Sequence, residues 1–191
     1  MDDQSFPKKL TIDRDNREIL IVKIDDSGNE EWVQSYGIGS NVFGQAILES
    51  RNGGYMIQFL VEGYGNGNTS VGLLRIDLSG NLIWSKAFGG TINTKSRMFS
   101  TINSNEYISV CSQIDYSTNS SNAWLIKIND NGEIIWEKDL NAMQGTKVKK
   151  TSKGEFVVGS VEWVDEGLNA SMHYLDSEGN TLSTKLYGGN N

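Results

Sequence analysis

Short apolar stretches separated by turns rich in glycine and asparagine run along most of this chain. In one well-defined segment they cover Gln45–Ser50, Tyr55–Val61, Gly72–Asp77 and Leu82–Phe88. Stretches this short, rich in β-branched and aromatic residues and bounded by Gly and Asn, predict antiparallel strands. No segment has a helical period long enough to compete. The pattern therefore predicts an all-β protein.

Several of these stretches are apolar at consecutive positions, as in Tyr55–Val61 and Trp124–Ile128. A strand that faces water on one side alternates apolar and polar residues, whereas a strand covered on both faces does not. We therefore expect sheets that pack face to face.

One glycine turn recurs four times with similar neighbours, at Gly28, Gly80, Gly132 and Gly179. The spacings are 52, 52 and 47 residues. The Gly supplies the positive φ that such hairpin loops need, and the Asp or Asn three residues before it can bond the loop backbone. Four short strands per repeat of this length predict a β-propeller with four-stranded antiparallel blades.

A tryptophan follows the turn glycine by four residues in three copies, as Trp32, Trp84 and Trp136, whereas the fourth copy has Ser183. We expect each indole at a blade-to-blade contact, with its N–H reaching a backbone carbonyl. The loss of the Trp in the fourth copy indicates an atypical or terminal blade.

The repeat divides the chain into an N-terminal segment, 1–18, and propeller repeats over 19–191. The repeats are a partial blade at 19–40, blades at 41–92 and 93–144, and a shortened blade at 145–191, which makes about three and a half blades by the four-strand rule. The N-terminal segment holds one candidate edge strand, Lys9–Ile12.

Three explanations of the incomplete ring stay open. The chain is a piece of a longer propeller, or a homodimer supplies about seven blades, or Lys9–Ile12 completes a small ring of four.

The segment Leu125–Trp136 reads Leu-Ile-Lys-Ile-Asn-x-x-Gly-x-Ile-Ile-Trp, and Tyr-Gly or Phe-Gly-Gly follows the Trp in related copies. This phrase resembles bacterial β-propeller repeat proteins of the "Gly-Asn-x-x-Trp" type. It is also similar to the tryptophan-docking repeats of quinoprotein-like propellers. The resemblance covers 19–189 and implies the fold and a secreted or cell-surface location, but it transfers little chemistry.

The composition narrows the function classes. The 191 residues carry a net charge of −7, which argues against binding to a phosphate backbone. No segment approaches the length of a membrane span, and Met1–Leu20 lacks the apolar run of a signal peptide. The single cysteine, Cys111, excludes an intrachain disulfide.

Neither the acidic turns nor the glycine-rich loop predicts a ligand site. The turns lack the alternating carboxylates and final Glu of an EF-hand calcium loop, and Gly80 has a single acid before it, Asp77. The segment 63–68 is followed by a strand rather than by the helix of a phosphate-binding loop. We therefore expect no metal and no cofactor.

His173, the only histidine, is interpreted as a structural residue. It aligns with apolar positions that we expect to be buried: Val22, Leu74 and Ile126. Ser171 lies on the same face of its strand, but no acidic residue has a placement readable from the sequence to orient the ring.

Cys111 and the lysine cluster are likewise interpreted as structural. Cys111 aligns with Phe59 and Ser160 and is expected in the core rather than as a nucleophile. The basic stretch 147–150 with Lys153 is interpreted as a solvated edge strand and not as a nucleic-acid site.

Aromatic residues near the loop after the second strand are the best candidates for binding. Tyr64 and Tyr116 are 52 residues apart, and Trp163 is roughly equivalent in the shortened repeat. Together they would form a circle of aromatic side chains at one end of the propeller, and such a surface suits the binding of a glycan or a protein loop. The alternative is that they cap blade edges.

The sequence therefore favours a non-catalytic binding module for a protein or a glycan, and it leaves enzymatic activity open. The main alternative is a hydrolase or lyase with its active site at one end of the channel, partly outside this chain. A quinoprotein dehydrogenase is a weaker version of that alternative. A third is a structural spacer.

Overall fold

A computed structural model describes residues 17–37, 40–63, 69–88, 93–101, 105–164 and 167–188. The described residues form an all-β protein, and no helix among them could span a membrane. The strands are β1 (Ile19–Ile24), β2 (Glu30–Tyr36), β3 (Val42–Glu49), β4 (Tyr55–Glu62), β5 (Thr69–Ile76), β6 (Leu82–Phe88), β7 (Asn93–Thr101), β8 (Glu106–Asp115), β9 (Ser120–Asn129), β10 (Ile134–Leu140), β11 (Gln144–Lys150), β12 (Phe156–Val164), β13 (Gly167–Leu175) and β14 (Thr181–Tyr187).

The strands form four antiparallel sheets in which each strand pairs with the next one along the chain. The first sheet contains β1 and β2 alone, and the second contains β3 to β6. The third contains β7 to β10, and the fourth contains β11 to β14. Each four-stranded sheet is therefore an antiparallel meander.

The second sheet allows a direct comparison with the predicted strands. Strand β6 has the predicted bounds, and β4 is one residue longer than predicted. Strands β3 and β5 each begin three residues earlier, because Val42 pairs with Val61 and Thr69 pairs with Glu62. The candidate edge strand Lys9–Ile12 lies outside the described residues.

The prediction that some strands are covered on both faces is confirmed. In β4, Met56 and Phe59 project to opposite faces, and both are fully buried. In β9, all five residues of Trp124–Ile128 are buried. These strands can be apolar at consecutive positions because both of their faces contact protein.

The chain divides into two compact units, with the division between residues 92 and 93. In the first unit, one face of the first sheet carries Ile21, Trp32 and Tyr36, and we call this the leading face. It packs against a face of the second sheet that carries Leu74 and Ile76, which we call the trailing face. The core of this unit contains the buried residues Ile19, Tyr36, Val42, Ile57, Phe59, Val61, Leu74 and Ile76.

The second unit repeats this arrangement with the third and fourth sheets. The leading face of the third sheet, which carries Leu125 and Trp136, packs against the trailing face of the fourth, which carries Val158 and Leu175. The core of the unit contains Ile108, Val110, Ala123, Leu125, Leu140, Ala142, Val148, Phe156, Val158 and Leu175.

The residues that align with His173 lie on the trailing faces of their sheets, and their burial differs from sheet to sheet. Leu74 and Ile126 are 2% and 1% exposed, as predicted, but Val22 is 50% exposed, and the prediction of burial is wrong there. Val22 lies on the trailing face of the first sheet, next to Leu20 and Ile24, which are exposed as well. The alignment identified the correct face but could not show whether another sheet covers it.

Candidate functional site

The repeated turn connects the last two strands of each sheet, and its side chains hydrogen-bond within the turn. In the first copy, the carboxylate of Asp25 accepts hydrogen bonds from the backbone N–H groups of Ser27 (2.9 Å) and Asn29 (2.8 Å), and from the Asn29 amide (3.0 Å). Asp77 and Asp176 make the same bonds in the second and fourth copies.

These hydrogen bonds lower the pKa of Asp25, Asp77 and Asp176, first through the Asn side chain and then through the backbone N–H groups. The cause is that each donor stabilises the ionised form.

The third turn has the same side-chain hydrogen bond, but the carboxylate is on the last residue of the turn instead of the first. Asn129 takes the place of the Asp, and its amide donates to the Glu133 carboxylate at 2.6 Å. Its side-chain oxygen accepts from the N–H groups of Asn131 and Glu133, at 3.0 and 2.9 Å. What persists is the hydrogen-bond pattern and not the position of the acid, so the turn stabilises the backbone and does not present a fixed set of metal ligands. The described residues contain no group of three or more His, Cys, Asp or Glu side chains placed to hold a metal ion.

The turn glycines have φ values of 84° at Gly28, 81° at Gly80, 72° at Gly132 and 79° at Gly179. An L-residue with a side chain rarely adopts this conformation. Two of these glycines also contact the tryptophan of the preceding sheet. A Cβ atom at Gly80 would lie 3.3 Å from Trp32, and one at Gly179 would lie 3.0 Å from Trp136.

Trp32 and Tyr36 anchor the second turn to the first sheet. The Trp32 indole N–H donates to the Leu78 carbonyl at 3.0 Å, and the Tyr36 hydroxyl donates to the Gly80 carbonyl at 2.6 Å. Tyr36 is buried, and burial raises its pKa to about 12. The bond from Trp32 to the Leu78 carbonyl is the contact that the sequence predicts for the indole N–H.

Trp136 packs in the same way but does not make that hydrogen bond. Its ring meets Phe156 edge-on, with centroids 6.0 Å apart, as Trp32 meets Tyr55 at 6.4 Å. The Trp136 indole nitrogen is buried, and it has no hydrogen-bond partner among the described residues. Trp84 lies half-buried on β6, opposite Arg75. Trp32 and Trp136 therefore share the edge-on packing against an aromatic residue of the next sheet, but only Trp32 of these two donates a hydrogen bond to a backbone carbonyl of the described residues.

Two of the three residues in the predicted circle of aromatic side chains, Tyr116 and Trp163, lie among the described residues. Tyr64 lies outside the described residues. Tyr116 follows β8 in a turn and is 65% exposed. Trp163 is 62% exposed, but it lies within β12, where it pairs with Leu168. The strand register makes it the equivalent of Ile114, two residues before Tyr116.

His173 lies in a buried polar cluster on the trailing face of the fourth sheet. Its Nε2 is 2.8 Å from the Ser160 hydroxyl, 3.3 Å from that of Ser171 and 3.1 Å from the Glu162 carboxylate, while Nδ1 is 3.1 Å from the Thr184 hydroxyl. Burial lowers the pKa of His173, and the nearby Glu162 carboxylate opposes this shift only partly. Burial therefore favours the neutral form of the imidazole.

This cluster does not have the geometry of a nucleophile–base pair. A catalytic histidine uses one ring nitrogen for the nucleophile and the other for the orienting carboxylate. Here Ser160 and Glu162 share Nε2, and Ser160 is only 3% exposed. Glu162 Oε1 is close to Nε2 but has no aligned hydrogen bond in the described part of the chain. We conclude that the cluster is structural: His173 occupies a buried position that is held by the apolar residues Leu74 and Ile126 in the second and third sheets.

The sequence interpretation missed Glu162. Ser160 and Glu162 are two residues apart on β12 and so share a face, and β12 pairs with the strand that carries His173. That alternation was the available signal.

Cys111 is fully buried, with its sulfur 3.4 Å from the Ser109 hydroxyl. The burial agrees with the predicted core position.

A concavity of about 650 Å³ lies on the leading face of the fourth sheet, the face that carries Val157 and Met172. Val157, Gly159 and Met172 form part of its lining, and Lys147 and Lys149 border it from β11. Strand β11 is at the edge of its sheet, with Val148 buried and these two lysines exposed, as the solvated-edge interpretation predicts. The concavity is therefore an open sheet face rather than an enclosed cleft.

No known family model matches this sequence, and no curated protein matches it either.

Proposed function

We propose that the chain is a propeller-type repeat protein and serves as a non-catalytic binding module for a protein or a glycan. The propeller is supported by the three antiparallel meanders of four strands and by the repeated contact in which a leading face meets the trailing face of the next sheet. The resemblance to bacterial propeller repeats supports the same architecture and a secreted or surface location.

The observation that carries the binding proposal is the exposure of Tyr116 and Trp163. Large aromatic rings exposed to this degree at the same end of neighbouring sheets form a surface suited to recognition. Hydroxyl groups flank Tyr116 at Ser117 and Thr118, and this mixture favours a glycan, because sugars stack on rings and bond to hydroxyls.

A glycan array with purified protein tests the proposal. Replacing Tyr116 and Trp163 by Ala should abolish the signals that the natural protein gives. Leu78→Ala is the matched control, because Leu78 is 53% exposed but lies in the turn at the opposite end of the strands. Equal binding by the aromatic variants and the natural protein would contradict the proposal.

A further inference from the structure

The leading face of the fourth sheet is open, although several of its residues are of the types found on a covered face; Ser183 takes the position of Trp32 and Trp136. Tyr187 occupies the position of Tyr36 in the first sheet and of Leu140 in the third. Tyr36 and Leu140 are 2% and 3% exposed, whereas Tyr187 is 48% exposed. An exposed aromatic residue at a position that is buried in other sheets indicates a missing neighbour.

The floor of the concavity shows the same relationship. By strand register, Met172 is equivalent to Leu125 and Val157 is equivalent to Ile108. Leu125 and Ile108 are fully buried where the third sheet meets the fourth, whereas Met172 and Val157 are half-buried and line the concavity. A sheet with a complementary trailing face would bury them.

The first sheet presents such a trailing face. Val22 and Ile24 are equivalent to Leu74 and Ile76, which are buried against the leading face of the first sheet. Val22 and Ile24 are 50% and 59% exposed, and Leu20 beside them is 66% exposed. In the described part of the chain, the first sheet thus presents an open trailing face and the fourth sheet an open leading face.

The turn of the first sheet is also free to dock. Among the described residues, a Cβ atom at Gly28 would have no neighbour within 4 Å, whereas one at Gly80 or Gly179 would touch the preceding sheet. Since Gly28 has the same backbone conformation as Gly80, its carbonyl can accept the hydrogen bond that Gly80 accepts from Tyr36.

The charges on the two faces are complementary. In the second unit, Lys138 Nζ donates to Asn180 Oδ1 at 3.2 Å, next to the Asp176 carboxylate. Lys185 occupies the position of Lys138 on the fourth sheet, and the first turn presents Asn29 in the position of Asn180. Lys147 and Lys149 add positive charge to the open leading face of an otherwise acidic chain.

We propose that the open leading face of the fourth sheet binds the trailing face of the first sheet of a second copy of this chain. In this contact the Tyr187 hydroxyl donates to the Gly28 carbonyl, Lys185 meets the Asp25–Asn29 turn, and Val22 packs into the concavity. Each copy carries both faces, so the contact is head-to-tail, and the proposal includes that two copies make it in both directions and close as a dimer rather than growing into an open filament. The inference goes beyond the proposed binding function and does not use Tyr116.

Sedimentation of the purified chain from nanomolar to high micromolar concentration tests the contact. The mass should rise from the 21.1 kDa of one chain to twice that value. A mass that stays at one chain over the whole range would overturn the proposal.

Two charge-adding variants distinguish the head-to-tail contact from any other dimer. Val22→Lys changes the trailing face and Tyr187→Lys changes the leading face, both at exposed positions where the fold of one chain tolerates the change. Each alone should weaken dimerisation at least about tenfold, since it buries an unpaired charge in both contacts. An equimolar mixture of the two variants should dimerise more tightly than either alone, because one contact in the mixed dimer then has two natural faces.

The matched control is Ile83→Lys, which adds the same charge at a 45% exposed residue of β6. It should leave the dimer unchanged. Dimerisation that is unaffected by Val22→Lys and Tyr187→Lys, or a mixture no tighter than the single variants, would contradict the head-to-tail contact.

Discussion

Tyr36 and Tyr187 end the last strands of the first and fourth sheets, yet their surroundings differ. Tyr36 is buried, and its hydroxyl bonds the turn of the next sheet, while Tyr187 is 48% exposed. Both belong to antiparallel sheets and occupy equivalent register positions. The comparison shows that burial at this position is decided by a covering sheet and not by the strand itself.

The same contrast applies to the turns. Gly80 and Gly28 share a backbone conformation and the Asp–Asn hydrogen bonds, but only Gly80 is packed against a tryptophan. The joint between the first and second sheets is thus a tryptophan and a tyrosine on one sheet and a glycine turn on the next.

The largest effect is expected from Trp32→Ala, which removes the indole from the joint. We expect a loss of about 3 kcal/mol in the free energy of unfolding, the lower end for a large aromatic residue because Trp32 is only half-buried. Urea unfolding followed by circular dichroism measures it. Trp163→Ala is the control, since that ring is 62% exposed and its loss should change stability little.

Alanine at the turn glycines separates backbone strain from packing. Gly28→Ala should cost about 1 kcal/mol, because it puts a side chain at positive φ in open space. Gly80→Ala adds a clash with Trp32 and Gln34 and should cost roughly 1–2 kcal/mol more. Equal losses in urea unfolding would show that the turn is not packed against the first sheet.

Removing a single hydroxyl tests the tyrosine half of the joint. Tyr36→Phe leaves the Gly80 carbonyl without its donor and should cost about 1 kcal/mol. Tyr187→Phe should cost almost nothing at concentrations where the chain is monomeric. A Tyr187→Phe loss as large as that of Tyr36→Phe would remove the distinction between the covered and open faces.

The smallest effect is expected from the pH dependence of the His173 cluster. The folded pKa of His173 lies below its usual value of 6.5, so the folded state binds fewer protons than the unfolded state under mildly acidic conditions. The stability contributed by neutral His173 is complete above pH 6.5 and falls as the pH decreases towards the folded pKa. His173→Gln should remove this part of the pH dependence in urea unfolding, whereas an unchanged profile would assign it to other groups.

Much of the fold could be predicted from local patterns, because the turn glycines and the consecutive apolar residues act through nearby backbone geometry and burial. Strands β4 and β6 follow from these signals almost to the residue. The exposure of Val22 could not be predicted, since a neighbouring sheet, and not the strand, decides it.

The candidate site was less predictable. Counting residues placed Trp163 near the loop with Tyr116, but the strand pairing with Leu168 puts it inside β12. The contact of Glu162 with His173 needed the pairing of β12 with β13, which a single sequence does not specify.

Hydroxyl-radical footprinting of Tyr36 and Tyr187, read by mass spectrometry over a range of protein concentrations, tests the central claim most directly. We predict that Tyr36 is protected at every concentration, and that Tyr187 is oxidised in dilute protein and becomes protected as dimers form. Oxidation of Tyr187 that does not change with concentration, or that equals Tyr36 in dilute protein, would contradict the claim that Tyr187 is the open counterpart of Tyr36.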